Sequence, residues 1–595
     1  MRRLITAAVS TALGLTLASA AVAQTQIKII GFNDFHGNLQ SPGTFRTVAG
    51  GSTKVAAGGA DYFAGYIASL KAQNPNNVVV AAGDLVGASP LVSAFFHDEG
   101  TIEVMNRMGL EFTSVGNHEF DAGQTELLRK QHGGCAAASN IETCQGQNLT
   151  GGYKTPVPFE GAKFKYLSAN VIKTATNTSL LPSYAIKTFN GHRVGFIGMT
   201  LQATPTIVSA AGVTGLSFTN EAATANALVP RLRAAGAEAI VILIHQGTNA
   251  GVTYSGCQAS TTVATDPIAS IVSQLDDHIG LVVSGHSHNA YVCQFKNSVG
   301  RSIPVTQAAS YGNVLTNIDV TLNDSTGAIS AVSANNIVVD RTNPAITPNQ
   351  TVAQIVQGYA NLASPLTSQV VATILTPGAP NTANAAGEKP AGDLIADAML
   401  AAASGASGNY ATIAIMNTGG VRANGFVNNN TNPAVYPYNL NYGDAFTVQP
   451  FGNILQTVTV TATQLKNIFE AEFTGCTING VKQALSPNPI LQVSSTVYEE
   501  WSASAACGSH IQTLTVKGIP VVQGGVVLNP SATFNVVTNN YLALGGDNFG
   551  TFTASTNPVS VGQDIDALVA YLANYKAPNP AFDPTTLGGR IKLLP

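Results

Sequence analysis

From residue 27 onward the apolar positions come in short β-branched runs, each closed by a polar turn rich in Gly, Asp, Asn or His. Examples are Ile27–Gly31, Val78–Ala82, Ile240–Ile244 and Leu281–Val283. Runs this continuous lack the alternation of a half-wet sheet and predict strands buried on both faces. Between them, Tyr62–Leu70 and Ala223–Ala235 carry apolar residues at helical spacing. Strands alternating with helices predict an α/β layered domain. Near Asn335 the pattern breaks. Arg341–Gln350 is dense in turn residues (Asn343, Pro344, Pro348, Asn349), and Thr351–Leu362 then reads as a short amphipathic helix. New strands follow at Ile413–Met416, Thr457–Val460 and Thr533–Thr538. This predicts a first α/β domain over 24–335, a linker helix or hinge over 336–364, and a second α/β domain over 365–595. The chain's 595 residues are in any case too many for one core.

Composition narrows the function. Charged residues make up 10% of the chain, against roughly 25% in ordinary globular proteins. The formal net charge of -4 offers no basic face for a nucleic-acid polymer. Arg2 and Arg3 precede an apolar run from Leu4 to about Ala20, and Ala21-Val22-Ala23 fits a signal-peptidase site. Residues 1–23 therefore read as a cleavable secretory signal, with a retained anchor as the alternative. No later run reaches the roughly 20 apolar residues of a membrane helix. The mature protein is expected to be soluble, secreted or periplasmic, and monomeric or weakly oligomeric. Six cysteines agree with an oxidising compartment, and sequence proximity favours Cys135–Cys144, Cys257–Cys293 and Cys476–Cys507.

Five polar motifs sit where apolar runs end. They are Asp34-Phe35-His36, Gly83-Asp84, Gly116-Asn117-His118-Glu119, His245 and Gly285-His286-Ser287-His288. Ligands of open α/β sheets gather outside the carboxyl ends of the strands, so five such ends can address one point. Each motif alone has an ordinary structural reading, a turn or a hydrogen-bonded histidine; their joint order does not. Two Asp, one Asn and four His supply mixed oxygen and nitrogen donors, which suit Zn, Mn or Fe better than Ca. A bridging Asp can hold two cations roughly 3.5–4 Å apart for in-line displacement at phosphorus, with a metal-activated hydroxide as nucleophile. His118 is left over from the ligand count. Asp121, three residues on, shares its face if a helix starts there, and an Asp-oriented His can steady charge or protonate a leaving oxygen.

These motifs, in this order, resemble the calcineurin-like metallophosphoesterases, and specifically the secreted 5'-nucleotidase/UDP-sugar hydrolase family. The resemblance implies a four-layer α/β/β/α metallophosphoesterase sandwich followed by an α/β substrate-recognition domain. It implies two divalent metal ions bridged by Asp84, with Asp34, His36 and His288 at one and Asn117, His245 and His286 at the other. His118 with Asp121 matches the family's catalytic dyad. Many 5'-nucleotidases carry Gln or Asn where His288 stands. In the second half, Asn417-Thr-Gly-Gly-Val-Arg422 resembles the family's substrate motif, implying Asn417, Gly419, Gly420 and Arg422 as substrate contacts. Pro450-Phe451-Gly452-Asn453 and Tyr541-Leu-Ala-Leu-Gly-Gly-Asp547 resemble its remaining segments. The resemblance places a base between Phe451 and Tyr541 and a ribose on Asp547. One departure stands out. Many members carry an Arg where this chain has Gly387, and beyond residue 345 the only arginines are Arg422 and Arg590; Lys389 is the nearest substitute cation.

The expected reaction is hydrolysis of nucleoside 5'-monophosphates. Hydrolysis of UDP-sugars, dinucleotide pyrophosphates or 2',3'-cyclic nucleotides on the same site remains open. Two further readings are a non-catalytic nucleotide-binding surface protein and a related thiosulfohydrolase, which has no need of the aromatic–GGD pair.

Overall fold

The structure, a computed structural model, describes residues 24–46, 53–136, 142–146, 158–208, 210–248, 255–257, 266–404, 411–428, 434–473, 477–478, 481–482 and 490–595. The expected signal segment 1–23 lies outside them.

Five parallel strands carry the motifs: β1 (Gln24–Phe32), β2 (Asn77–Ala82), β3 (Leu110–Ser114), β4 (Ala237–Ile244) and β5 (Ile279–Ser284). They belong to two six-stranded sheets. The first runs Ile329–Val338, Val314–Asn323, β1, β2, β3, Lys165–Leu167; the second runs Ala290–Lys296, Ser302–Ala308, β5, β4, His192–Met199, Tyr184–Phe189. Side-chain alternation along each strand builds four layers. Ile27 and Ile29 of β1 and Val78 and Val80 of β2 face inward onto Val241, Leu243, Leu281 and Val283 of the other sheet. Ile30, Phe32, Val79 and Ala81 face outward onto Phe63, Ile67 and Met105, from the helices Ala60–Lys71 and Glu99–Met108. On the second sheet, Ile240, Ile242 and Ile244 lie under Ala225, Val229 and Leu232 of the helix Glu221–Ala234. With both faces covered, neither parity of position can be polar, and the runs are continuous for that reason.

The segment expected to link the two halves is placed differently. The strand Ile329–Val338 continues the first sheet past residue 335. The helix Gln350–Thr367 then packs Val352, Ile355, Tyr359, Leu362 and Ala363 into the helical layer of the first half, beside Phe96 and Ile102. Asn349 caps this helix by accepting the Val352 N–H.

The second half is built on a five-stranded sheet, ordered Gln492–Val493, β6 (Ile413–Met416), Thr533–Asn539, Ile454–Thr461, Thr556–Gln563. The helices Pro390–Ser404 and Asp564–Leu572 cover one face with Leu394, Met399 and Leu568. The helix Ala462–Glu470 covers the other with Leu465, Ile468 and Phe469.

Cys135–Cys144 and Cys257–Cys293 are disulfide-bonded. Cys507 is also bonded, and Cys476, its expected partner, lies outside the described residues. Among the described residues no helix is long and apolar enough to cross a membrane.

Candidate active site

The carboxyl ends of β1 to β5 meet on one edge, cross-tied by backbone bonds: Asp34 N–H donates to Gly83 O and His36 N–H to Asp84 O, both at 3.0 Å. Five of the expected ligands sit at left-handed backbone angles, Asp34 (φ 49°), His36 (46°), Asp84 (49°), His286 (74°) and His288 (56°). Such angles cost non-glycine residues of order 1–3 kcal/mol each and concentrate where function over-determines geometry.

Donor atoms of Asp34, His36 and His288 lie within 4.8 Å of one another, as do those of Asp84, His245 and His286. Asp84 Oδ2 reaches toward both groups, 3.6 Å from His36 Nε2 and 3.0 Å from His245 Nε2. Asn117 Oδ1 stands 3.1 Å from His245 Nε2 and 3.1 Å from His286 Nδ1. His36 Nδ1 donates to Gly87 O at 2.8 Å, and His245 Nδ1 to Ala82 O at 2.7 Å. A backbone carbonyl on Nδ1 fixes the ring's orientation and turns Nε2 inward. His36 Nε2 then faces His288 Nε2 at 3.1 Å and two carboxylates. Burial above all holds the His36 imidazole well below its ordinary pKa, so the ring is neutral. Lone pairs converging this closely suit divalent cations, and the mixed N/O set fits Zn or Mn.

One residue of this site escaped the sequence reading. The buried Glu119 carboxylate accepts N–H bonds from Asp84 (2.9 Å), Leu85 (2.8 Å) and Gly116 (2.6 Å). It pins the β2 and β3 turns together and so aims Asp84. Burial, and then the Asp84 charge, push its pKa up to about 7, against His245 and the N–H bonds from Gly116 and Asp84. Its only sequence signal was its place after His118.

His118 opens a single 3-10 turn, His118–Phe120, which brings its Nδ1 to 2.8 Å from Asp121 Oδ2. Burial works against charge on this imidazole, but Asp121 and then Asp84 outweigh it and raise its pKa. The ring lies 5.7 Å from Phe451, tilted 22° from parallel. Phe451 belongs to the other half, and the Arg422 guanidinium lies 5.8 Å from the same phenyl ring.

A cleft of about 320 Å³ joins the two halves. Asn117, His118, Asp121 and His286 line it from the first; Asn417, Gly419, Gly420, Arg422, Phe451, Tyr541 and Asp547 line it from the second. Asp547 is held on both oxygens, by the Tyr541 hydroxyl at 2.5 Å and by Asn417 Nδ2 at 2.7 Å. Asn539 Nδ2 in turn donates to Asn417 Oδ1 at 3.0 Å. Burial raises the Asp547 pKa, and the bonds from Tyr541 and Asn417 pull it back.

Arg422 is the one Lys or Arg among the cleft's described lining residues. Arg590 is buried and paired with Asp397 at 2.6 Å. Lys389 does not line the cleft, so it does not replace the missing arginine. Nor does the backbone leave room at Gly387, where φ is +89° and a Cβ would come within 2.5 Å of the Ile490 side chain.

Known proteins share this fold and this order of domains. Residues 27–290 match the family model for calcineurin-like phosphoesterases, and residues 370–554 match that for the 5'-nucleotidase C-terminal domain. The chain is 28% identical to the endonuclease YhcR of Bacillus subtilis over 95% of its own length, and spans 41% of that longer protein. It is 24% identical to the probable 5'-nucleotidase of Treponema pallidum, with 93% of this chain and 92% of that one covered. A solved 5'-nucleotidase precursor from Thermus thermophilus has the same fold, at a TM-score of 0.72 and 24% identity over 96% of this chain and 99% of that one. With both domain models matched in order, the chain belongs to the calcineurin-like phosphoesterases that carry a 5'-nucleotidase C-terminal domain, a family of metal-dependent phosphoester hydrolases.

Proposed function

We propose that this protein is exported and hydrolyses nucleoside 5'-monophosphates to nucleoside and phosphate. The observation that carries the reading is the shared cleft: a metal-type donor cluster and a His–Asp pair on one wall, aromatics, a carboxylate and one guanidinium on the other. Asp34, His36 and His288 would hold one divalent cation, Asn117, His245 and His286 a second, with Asp84 between them. Bound there, the cations supply Lewis acidity and make a coordinated water acidic enough to act near neutral pH. The chain's own residues do the rest. Arg422 offers a planar fork to the phosphate. Phe451 and Tyr541 offer ring faces to the base, and Asp547 offers acceptors to the ribose. Asp121 holds His118 Nδ1, which leaves Nε2 for the leaving 5'-oxygen.

The reading is tested by phosphate release from a panel of nucleoside mono-, di- and cyclic phosphates, UDP-glucose and a dinucleotide pyrophosphate. Chelation should abolish release, and Zn or Mn should restore it. Monophosphates should be cleaved best. Equal cleavage after rigorous metal removal, or no nucleotide cleavage with metals present, would discard it.

His118→Asn should lower kcat by roughly 10²–10³-fold, the scale of one positioned acid or charge stabiliser. Metal content by elemental analysis should not change. Loss of metal in this variant would make His118 a ligand instead.

A further inference from the structure

The contact between Tyr541 and Asp547 carries a consequence for substrate choice, and it rests on the nucleotide reading above. We infer that the Tyr541 hydroxyl stands in for a substrate hydroxyl on Asp547, so that Tyr541 sets how strongly the enzyme selects a vicinal diol.

Three observations support this. First, the hydroxyl is fully engaged with Asp547: it donates to Oδ1 at 2.5 Å and accepts the Asp547 N–H at 2.9 Å, closing a small ring. Asn417 occupies the other oxygen at 2.7 Å. A carboxylate facing the cleft therefore already holds one hydroxyl of the kind a ribose would bring, with an amide N–H on its other oxygen. Second, the ring cannot retreat to break this contact. Gly546 packs against it so closely that a Cβ there would lie 2.5–2.6 Å from three ring carbons. The Asp547 backbone is itself fixed at φ 51° after the left-handed Gly545. Third, the hydroxyl has another acceptor in reach, the Thr206 carbonyl of the opposite half at 3.4 Å. It has one proton to give, and the nearer charged oxygen takes it. A substrate diol that claims Asp547 Oδ1 has to turn that proton toward Thr206, trading a short charge-assisted bond for a long one.

Diol binding in this cleft is thus an exchange of one O–H for another at the same oxygen, and most of the diol's binding advantage cancels. Tyr541→Phe keeps the stacking face and removes the competitor. Asp547 then has an open acceptor in the empty cleft, and a diol that fills it gains the whole charge-assisted bond.

The test compares adenosine 5'-monophosphate with its 2',3'-dideoxy analogue on the metal-loaded, full-length protein. The ratio of their kcat/KM values is taken within each variant, so any general loss of activity cancels. In Tyr541→Phe the preference for the diol should rise by about tenfold over the wild-type ratio. Calorimetric binding of adenosine and 2',3'-dideoxyadenosine gives the same ratio independently of turnover, and should move the same way. A ratio that is unchanged or lower by both measures overturns the inference and leaves the nucleotide reading intact. A wild type that cleaves neither monophosphate overturns the nucleotide reading, and the inference with it.

Discussion

Asp84→Asn is expected to cut kcat/KM by about 10³-fold or more, equivalent to about 4 kcal/mol of transition-state stabilisation. The effect should exceed that of any other single ligand change, because only Asp84 approaches both donor groups, at 3.6 Å from His36 Nε2 and 3.0 Å from His245 Nε2. An amide keeps the shape but loses the charge that the proposed pair of cations would share. In one of its two orientations it would also set an N–H₂ against the His118 N–H, which now donates to Asp84 Oδ1 at 2.9 Å. Elemental analysis should find fewer than two metals per chain, with the circular dichroism spectrum unchanged. A variant with its full metal complement and near-normal turnover would remove Asp84 from the bridging role.

Removing both cleft aromatics (Phe451→Ala with Tyr541→Ala) should lower kcat/KM for a nucleoside monophosphate by about 10²–10⁴-fold, since each base–ring stack is worth roughly 1–3 kcal/mol. p-Nitrophenyl phosphate, which has no base, should lose far less. Some loss on that ester is expected too, because Phe451 sits over the His118 ring at 5.7 Å and helps hold it. The ratio between substrates is therefore the measurement that decides. Equal losses on both would make the two rings part of the packing rather than a clamp for the base.

The strands bearing the site were legible because they are buried on both faces: continuous runs such as Val78–Ala82 and Ile240–Ile244 cannot be exposed edges. The antiparallel edge strands Tyr184–Phe189 and Ile329–Val338 are only partly buried and give a weaker pattern, so the strand that crosses residue 335 was not read. The His118–Asp121 contact was readable because one short turn spans it. Glu119 was not, since its four backbone donors come from two turns that meet only in the folded chain. Lys389 looked like a substitute cation by sequence proximity alone, and proximity along the chain says nothing about which side chains reach the cleft. The Tyr541–Asp547 bond needs the left-handed turn through Gly545 and Asp547, which the spacing of six residues does not reveal.

The docking of the helix Gln350–Thr367 decides where this polypeptide can be divided. A cut at residue 335 would sever the strand Ile329–Val338 and remove Val352, Tyr359 and Leu362 from the layer that covers Phe96 and Ile102. The catalytic half would be left with a raw apolar flank, inviting aggregation rather than folding. A fragment ending after Thr367 takes its own cover with it, and the second half then begins at Ser368, just ahead of the strand Val370–Ile374. The helix that reads from the sequence as a join between two units packs most of its apolar face on the first and touches the helix Tyr442–Val448 of the second.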